Sequence, residues 1–168
     1  MRIRDKIKKP QRPVVAYEIL PPREKDGTLN SYAETISSLL SQTHIDAINI
    51  PEVHDEVGRG DRPIANYKRG EPREFGRLLQ DIVGIEAIIN RVVVHDDYDT
   101  QMKWFEETNK VYEIENMIIV GGESSNVEYP GPTVNQTLEA ISNIYNKDRK
   151  DIFCGGIAIP SRKEESKN

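Results

Sequence analysis

The run AIINRVVVH, residues 87–95, decides the fold of this sequence. It is apolar over most of its length and rich in β-branched residues, which is typical of a strand buried within a sheet. A helical pattern precedes it at 73–84 and another follows it at 100–114, both with apolar residues about three or four positions apart. A buried strand between two amphipathic helices predicts the βα alternation of a parallel sheet.

The same alternation extends outward along the chain. Short apolar runs predict further strands at 14–19, 46–51, 116–122 and 152–160. Helical patterns at 28–42 and 133–145 complete the series, and Thr133 with Gln136 has the spacing of a capping box. This order fits a doubly wound open sheet or part of a (β/α)8 barrel, and periodicity does not choose between them.

Composition favours a soluble globular protein. The 168 residues are 36% apolar and 30% charged, with a net charge of −5 that argues against nucleic acid as the main partner. We find no signal-peptide pattern and no apolar run of the ~18 residues that a membrane span needs, so no membrane partner is expected. The only cysteine, Cys154, cannot form an internal disulfide, and a cytoplasmic location is predicted.

Residues 1–13 form a basic N-terminal segment, MRIRDKIKKPQRP. It reads either as an arm for an anionic partner or as a solvated, partly disordered start, and the second reading is preferred because no further basic patch supports the first. We therefore predict a basic arm at 1–13 and one partial barrel domain at 14–168.

The polar segments that follow the strands contain most of the residues suited to chemistry. In parallel α/β folds the functional site lies at the carboxyl ends of the strands. The candidates at that edge are Glu18, Arg23, Glu52, His54, His95, Asp96, Gly121, Gly122 and Glu123.

Several of these candidates also have a purely structural interpretation. Glu18 could pair with Arg23 at the edge of the sheet. His54 could belong to a solvated loop, and the acids beside His95 could favour the start of a helix. The glycine pair 121–122 could simply form a turn.

The segment YEILPPRE, residues 17–24, resembles a motif near the start of methylenetetrahydrofolate reductases: an aromatic residue, Glu, two apolar residues, Pro-Pro and a basic residue. The similarity continues in order through the segments that contain the other four predicted strands, DAINIPEV, NRVVVHDD, NMIIVGGESS and CGGIAIPSRKEES. It extends over about residues 14–165.

The resemblance implies a flavin-dependent (β/α)8 barrel that reduces 5,10-methylenetetrahydrofolate to 5-methyltetrahydrofolate with NAD(P)H, in the one-carbon metabolism that supplies methionine. The bridging methylene of this substrate becomes an iminium before it accepts hydride, and ring opening requires a proton on the leaving nitrogen. By resemblance, Glu18 is the catalytic general acid and contacts the folate. Glu123 is a second folate contact, close to the flavin.

The resemblance also assigns contacts to FAD. Gly121 and Gly122 would let the backbone approach the flavin ring. Pro51 stands where the family has a hydroxyl residue, His95 matches the family histidine only after a shift of one position, and Ile159 replaces an aromatic residue. Because the contacts are only partly present, weak FAD binding or its absence is the alternative expectation.

A complete (β/α)8 barrel needs about 250 residues, and this sequence provides five of the eight strands. A truncated chain, one half of a split protein, or a domain that self-associates is therefore expected. The predicted partners are a folate substrate and either a second copy of the chain or a missing C-terminal half.

Two other functions stay open at this stage. A non-catalytic interaction module could keep the fold and lose the activity. A metal-dependent barrel hydrolase would use ligands at neighbouring strand ends. Its candidate ligands are Glu52, His54, His95 and Asp96 or Asp97.

Overall fold

One sheet of five parallel strands, alternating with helices, forms the frame of the protein. The structure, a computed structural model, describes residues 2–53, 68–122, 128–145 and 152–157. The strands are β1 (Ala16–Glu18), β2 (Ala47–Pro51), β3 (Ala87–Val92), β4 (Asn116–Val120) and β5 (Phe153–Gly156). Each strand pairs in parallel with the next in the sequence, which confirms the five predicted strands and their order.

Four long helices connect the strands, and two shorter ones complete the described elements. The helices are α1 (Ile3–Lys8), α2 (Leu29–Leu40), α3 (Pro72–Val83), α4 (Tyr98–Lys110) and α5 (Val134–Tyr145), with a 3₁₀ turn at Glu24–Asp26. The capping box at α5 is confirmed, because Gln136 N donates to Thr133 Oγ1 (3.2 Å) and Thr133 N donates to Gln136 Oε1 (2.9 Å). The helix predicted at 100–114 begins earlier, after its cap Asp97, and stops before Glu113, whose φ is +52°.

Burial alternates along the three central strands. Side chains on one face, such as Ile50, Ile89 and Ile119, are fully buried. They pack in clusters with residues of the helices, including Phe75 of α3 and Phe105 of α4. The residues between them on β2, β3 and β4 are mostly half-exposed, so we call the opposite side the half-exposed face.

The arrangement bears on the choice between two architectures that periodicity left open. In a doubly wound sheet the strand order reverses at a switch point and helices cover both faces. Here the order runs from β1 to β5 without reversal, and helices α2 to α5 all contribute to clusters on the same face. The fold is α/β with an all-parallel sheet, consistent with a partial (β/α) barrel.

The basic segment at the N-terminus is attached to the fold at a few residues, while most of its described residues are exposed, as expected of a solvated start. Ile3 of α1 is 1% exposed. Asp46, just before β2, accepts hydrogen bonds from Lys6 (2.9 Å), from both terminal nitrogens of Arg12 (2.9 and 2.7 Å) and from Val15 N (3.0 Å). The boundary proposed between 1–13 and 14–168 stays a prediction.

Strand β1 is an exposed edge of the described sheet, although the run at 14–19 is largely apolar. Its three residues are all exposed, with Tyr17 at 46%, because β2 is the only described strand beside it. Glu18 therefore needs no buried partner to be tolerated at the end of this strand.

None of the described helices is long and apolar enough to cross a membrane. Cys154 packs against the cluster around Phe105, and burial raises the pKa of its thiol to about 12. The thiol is therefore protonated and a poor nucleophile near neutral pH.

Replacing Asp46 tests the attachment of α1 to the sheet. The backbone N–H of Val15, followed by Lys6 and Arg12, holds the pKa of Asp46 well below its usual range. A depressed carboxyl pKa contributes stability above the unfolded pKa of about 4, and that contribution is lost as pH falls through the folded pKa. We expect Asp46→Asn to lower the melting temperature at pH 7 by several degrees. Below pH 4 the melting temperature of this variant should fall less than that of the unmutated protein.

Asp81→Asn is the matched control for thermal melts between pH 2 and 7. Asp81 pairs with Arg77 at 3.0 Å on the surface of α3, with 54% of its side chain exposed. Such exposed pairs contribute little, so this variant should melt close to the unmutated protein. Identical pH profiles for Asp46→Asn and the unmutated protein would refute the proposed attachment.

Candidate functional site

Glu18 lies exposed at the carboxyl end of β1, where the sequence places it. Asn49 of β2 is directly opposite in the parallel register, and Asn49 Nδ2 donates to Glu18 Oε2 at 2.9 Å. Arg23, the partner considered from sequence, forms a bidentate ion pair with Asp26 at 2.6 and 3.0 Å. The carboxylate is thus held by an amide of the neighbouring strand.

Two amide oxygens of β2 and β3 lack a hydrogen-bond donor among the described residues. Asn49 Oδ1 and Asn90 Oδ1 are buried atoms without a partner among the described residues. Asn90 is on β3 beside Pro51 of β2, and alternation places both on the half-exposed face with Asn49. A buried acceptor without a donor costs about 1–3 kcal/mol. The hydrogen bonding of this face is therefore incomplete.

A buried arginine joins the ends of two strands to a turn and a helix. The side chain of Arg91 on β3 is 6% exposed. Its guanidinium donates to Glu52 Oε1 (2.5 Å), Asp96 Oδ2 (2.6 Å) and Gln101 Oε1 (2.9 Å). The other oxygen of Glu52 accepts from Val92 N at 3.0 Å. These contacts give both carboxylates a structural role.

The ring of Trp104 contacts two guanidinium groups, those of Arg91 and Arg73. The guanidinium carbon of Arg91 is 4.8 Å from the centroid of Trp104, and that of Arg73 is 4.9 Å from the same ring. Arg73 also contacts Tyr112 at 4.8 Å and forms ion pairs with Glu71 and Glu107 at 2.9 and 2.7 Å. Cation–π contacts with desolvated guanidinium groups are stronger than exposed ones, so Trp104 connects α4 to the sheet.

The turn after β3 packs against residues that precede α5. His95 and Tyr129 meet edge to face, with ring centroids 5.7 Å apart. Gly131 N donates to Val94 O at 2.9 Å, and a Cβ at Gly131 would overlap the backbone oxygens of Val93 and Asp96. Glycine is required there because two backbone segments meet without room for a side chain.

The glycine pair after β4 packs against this chain's own side chains. A Cβ at Gly122 would overlap the ring of Tyr129, and one at Gly121 would lie 3.4 Å from Val134 Cγ2. Packing therefore explains Gly122 without a bound cofactor. Gly121 has room for ordinary contact on that side.

Parallel pairing brings the described candidates to one edge of the sheet. Glu18 and Pro51 end their strands, while His95 follows β3 and the glycine pair follows β4. Glu123, Ile159 and His54 lie outside the described residues. The assigned contacts to cofactor and substrate stay predictions.

The carboxylates of the hydrolase hypothesis already have partners. Glu52 and Asp96 bind Arg91, while Asp97 accepts from Thr100 N at 2.9 Å as the cap of α4. No group of three or more potential metal ligands occurs within the described ranges. The contacts observed for these acids are those of fold-stabilising residues.

Sequence reasoning missed the polar residues inside the strands. The predicted strands include Asn49, Asn90 and Arg91 within near-continuous apolar runs, although each interrupts such a run. A polar residue within a buried strand needs a partner, and this was the available signal. Tyr129 carried no comparable signal, because its contacts depend on how the loops meet.

No family model matches this chain, and no curated protein matches it. The resemblance to methylenetetrahydrofolate reductases is carried by the motifs quoted above.

Removing the Arg91 guanidinium should strongly destabilise the fold. Arg91→Met keeps an unbranched apolar stem and leaves Glu52 and Asp96 without their shared cation. Breaking a buried ion pair from one side typically costs ~3–5 kcal/mol, and the 43% exposure of the Asp96 side chain reduces this figure. We expect the free energy of unfolding to fall by about 3 kcal/mol. Urea unfolding followed by the fluorescence of the only tryptophan, Trp104, measures this change.

Arg77→Met is the matched control. Arg77 also binds two carboxylates, those of Asp81 and Glu113, but its side chain is 36% exposed. The expected loss is below about 1 kcal/mol. Equal losses for the two variants would contradict the central role of Arg91.

Proposed function

We propose that this chain is an oxidoreductase of the methylenetetrahydrofolate reductase type, which reduces 5,10-methylenetetrahydrofolate to 5-methyltetrahydrofolate with NAD(P)H. The observation that carries the proposal is the Glu18 carboxylate. It lies exposed at the carboxyl end of β1, within the motif that resembles this family, and an amide of β2 holds it. The carboxyl ends of parallel strands are where α/β enzymes bind their substrates. The expected cytoplasmic setting rests on the single cysteine.

Glu18 has one chemical task in this proposal. It donates a proton to the leaving nitrogen, N10 of the folate, as the bond from that nitrogen to the bridging methylene breaks, and the bonding electrons stay on N10. The methylene is left as an iminium that accepts a hydride and becomes the methyl group. NAD(P)H is the reductant and leaves as NAD(P)⁺.

FAD, when bound, would relay the hydride from the nicotinamide to the folate. Two features of the described residues support a flavin in this proposal. Asn90 Oδ1 is a buried acceptor without a donor, which suits a ring N–H, and the pair of His95 with Tyr129 offers an aromatic surface at the same edge. Gly122 does not fit as a gap for the ring, because Tyr129 fills that space.

The proposal includes a closed barrel to which this sheet belongs. Helices on one face and strands in sequence order are the arrangement of a (β/α)8 barrel, whose interior would be the half-exposed face. Additional strands, from a second copy of this chain or from another polypeptide, would pair with the edges at β1 and β5. Such pairing would bring further substrate-binding residues to Glu18.

Glu18→Gln tests the proposed acid. Glutamine keeps the size of the side chain and cannot release a proton. With the complete site assembled, we expect the reduction of methylenetetrahydrofolate to slow by ~10²–10⁴-fold, since that is the usual contribution of a general acid. Flavin reduction by NAD(P)H needs no proton from Glu18 and should keep its rate, so stopped-flow measurement of the two half-reactions separates them.

Glu24→Gln serves as the control for this experiment. Glu24 is an exposed carboxylate shortly after β1 and pairs with Lys68 at 2.9 Å. Both half-reactions should survive its replacement. Folate reduction at the unmutated rate in Glu18→Gln would rule out the acid role, and equal loss of both half-reactions would indicate a structural role.

The chain should associate when it is purified alone. Strands β1 and β5 end the described sheet, and both have apolar side chains in or beside the strand that are well exposed, such as Tyr17 at 46% and Ile157 at 58%. Unprotected edges favour pairing with another chain. We expect sedimentation velocity to show dimers or larger species whose proportion rises with concentration. A monodisperse monomer with a cooperative melt would refute this prediction.

A further inference from the structure

We propose that a cavity at the amino edge of the sheet binds a small anion of the phosphate class through Lys6, Lys9 and Arg12. The cavity has a volume of about 410 Å³ and is lined by the end of α1, by the segment that leads into β1 and by Asp46. Sites for small molecules have volumes of roughly 300–1,000 Å³. This proposal does not depend on the function proposed above.

The cavity lies at the opposite end of the sheet from Glu18. Asp46 directly precedes β2, and the five strands are parallel, so their amino ends share one edge. Glu18 ends β1 at the carboxyl edge. A ligand in the cavity therefore leaves the candidate site at the carboxyl edge free.

Positive charge exceeds negative charge in the lining of the cavity. Lys6 and Arg12 both bind Asp46, at 2.9 and 2.7 Å, and only 2% of the Asp46 side chain is exposed. Lys9 lines the same cavity, and its side chain has no partner among the described residues. Three cations and one carboxylate leave two excess positive charges, which favour an anionic ligand.

The cations keep hydrogen-bond donors that the fold does not use. An ammonium group has three N–H donors and a guanidinium group has five. Among the described contacts, Lys6 donates to Asp46 alone, and Arg12 donates through its two terminal nitrogens to Asp46 and to the carbonyl of Pro13. Within the described part of the chain, Nε of Arg12 and the ammonium group of Lys9 thus stay available for a ligand.

A phosphate group matches these properties. It carries up to two negative charges near neutral pH and several acceptor oxygens, so it can balance the excess charge and accept hydrogen bonds from more than one cation. Pro13 and Val14 add an apolar wall to the cavity, which suits an organic group attached to the phosphate. A long polyanion such as nucleic acid is disfavoured, because the whole chain has a net charge of −5.

Titration with inorganic phosphate tests the proposal on the intact chain. With sodium chloride added to hold the ionic strength constant, we expect saturable binding with a dissociation constant on the order of 1 mM, the affinity of two or three charge-assisted hydrogen bonds. The melting temperature should rise with phosphate concentration, because the ligand binds the folded state. In NMR spectra the backbone amide signals of Gln11 and Val14 should shift as phosphate is added.

Lys9→Gln removes the cation that has no partner in the described structure. Its affinity for phosphate should fall about tenfold, the usual effect of losing one hydrogen bond to a charged group. Lys8→Gln is the matched control, because it makes the same change of charge at the neighbouring exposed residue, which does not line the cavity. It should bind phosphate with nearly the unmutated affinity, and without phosphate both variants should melt close to the unmutated protein.

The absence of saturable binding, an unchanged affinity in Lys9→Gln or equal losses in the two variants would overturn the proposal. Shifts confined to Gly121 and its neighbours would also overturn it, since they would place the anion at the edge of the proposed cofactor site. A failure of folate reduction leaves this proposal unaffected, because none of these measurements uses that activity.

Discussion

The carboxyl edge of this sheet depends on one buried cation, the guanidinium of Arg91. It connects β3 to the end of β2 through Glu52, to the following turn through Asp96, and to α4 through Gln101. A buried guanidinium is tolerated only when its charge and its donors have partners. The segments that provide those partners must therefore meet at this edge, which sets where the loops of the candidate site begin.

The two faces of the sheet carry different kinds of residues. Apolar residues on one face pack against the helices and form the core. The other face carries Glu18, Asn49 and Asn90, with a hydrogen bond across strands and two acceptors that lack donors within the described part of the chain. Buried acceptors in this state add little to the stability of the described fold.

The structure also sorts the sequence candidates by what they contact. Glu52 and Asp96 hold the fold through Arg91, and Gly122 makes room for Tyr129. Glu18 has no comparable structural contact, since it is exposed and hydrogen-bonded to one amide. This difference makes Glu18 the strongest candidate for chemistry within the described residues.

The sequence by itself determined the five strands, the four long helices and their alternation, because apolar periodicity and caps such as Thr133 with Gln136 act over a few neighbouring residues. It also indicated the edge at which Glu18 would lie. Only the tertiary structure decided that β1 is exposed, that α1 is attached through Asp46, and that Asn49 is the partner of Glu18. These outcomes depend on pairs of residues more than thirty positions apart, and such contacts follow from the packing of whole elements, which no local pattern encodes.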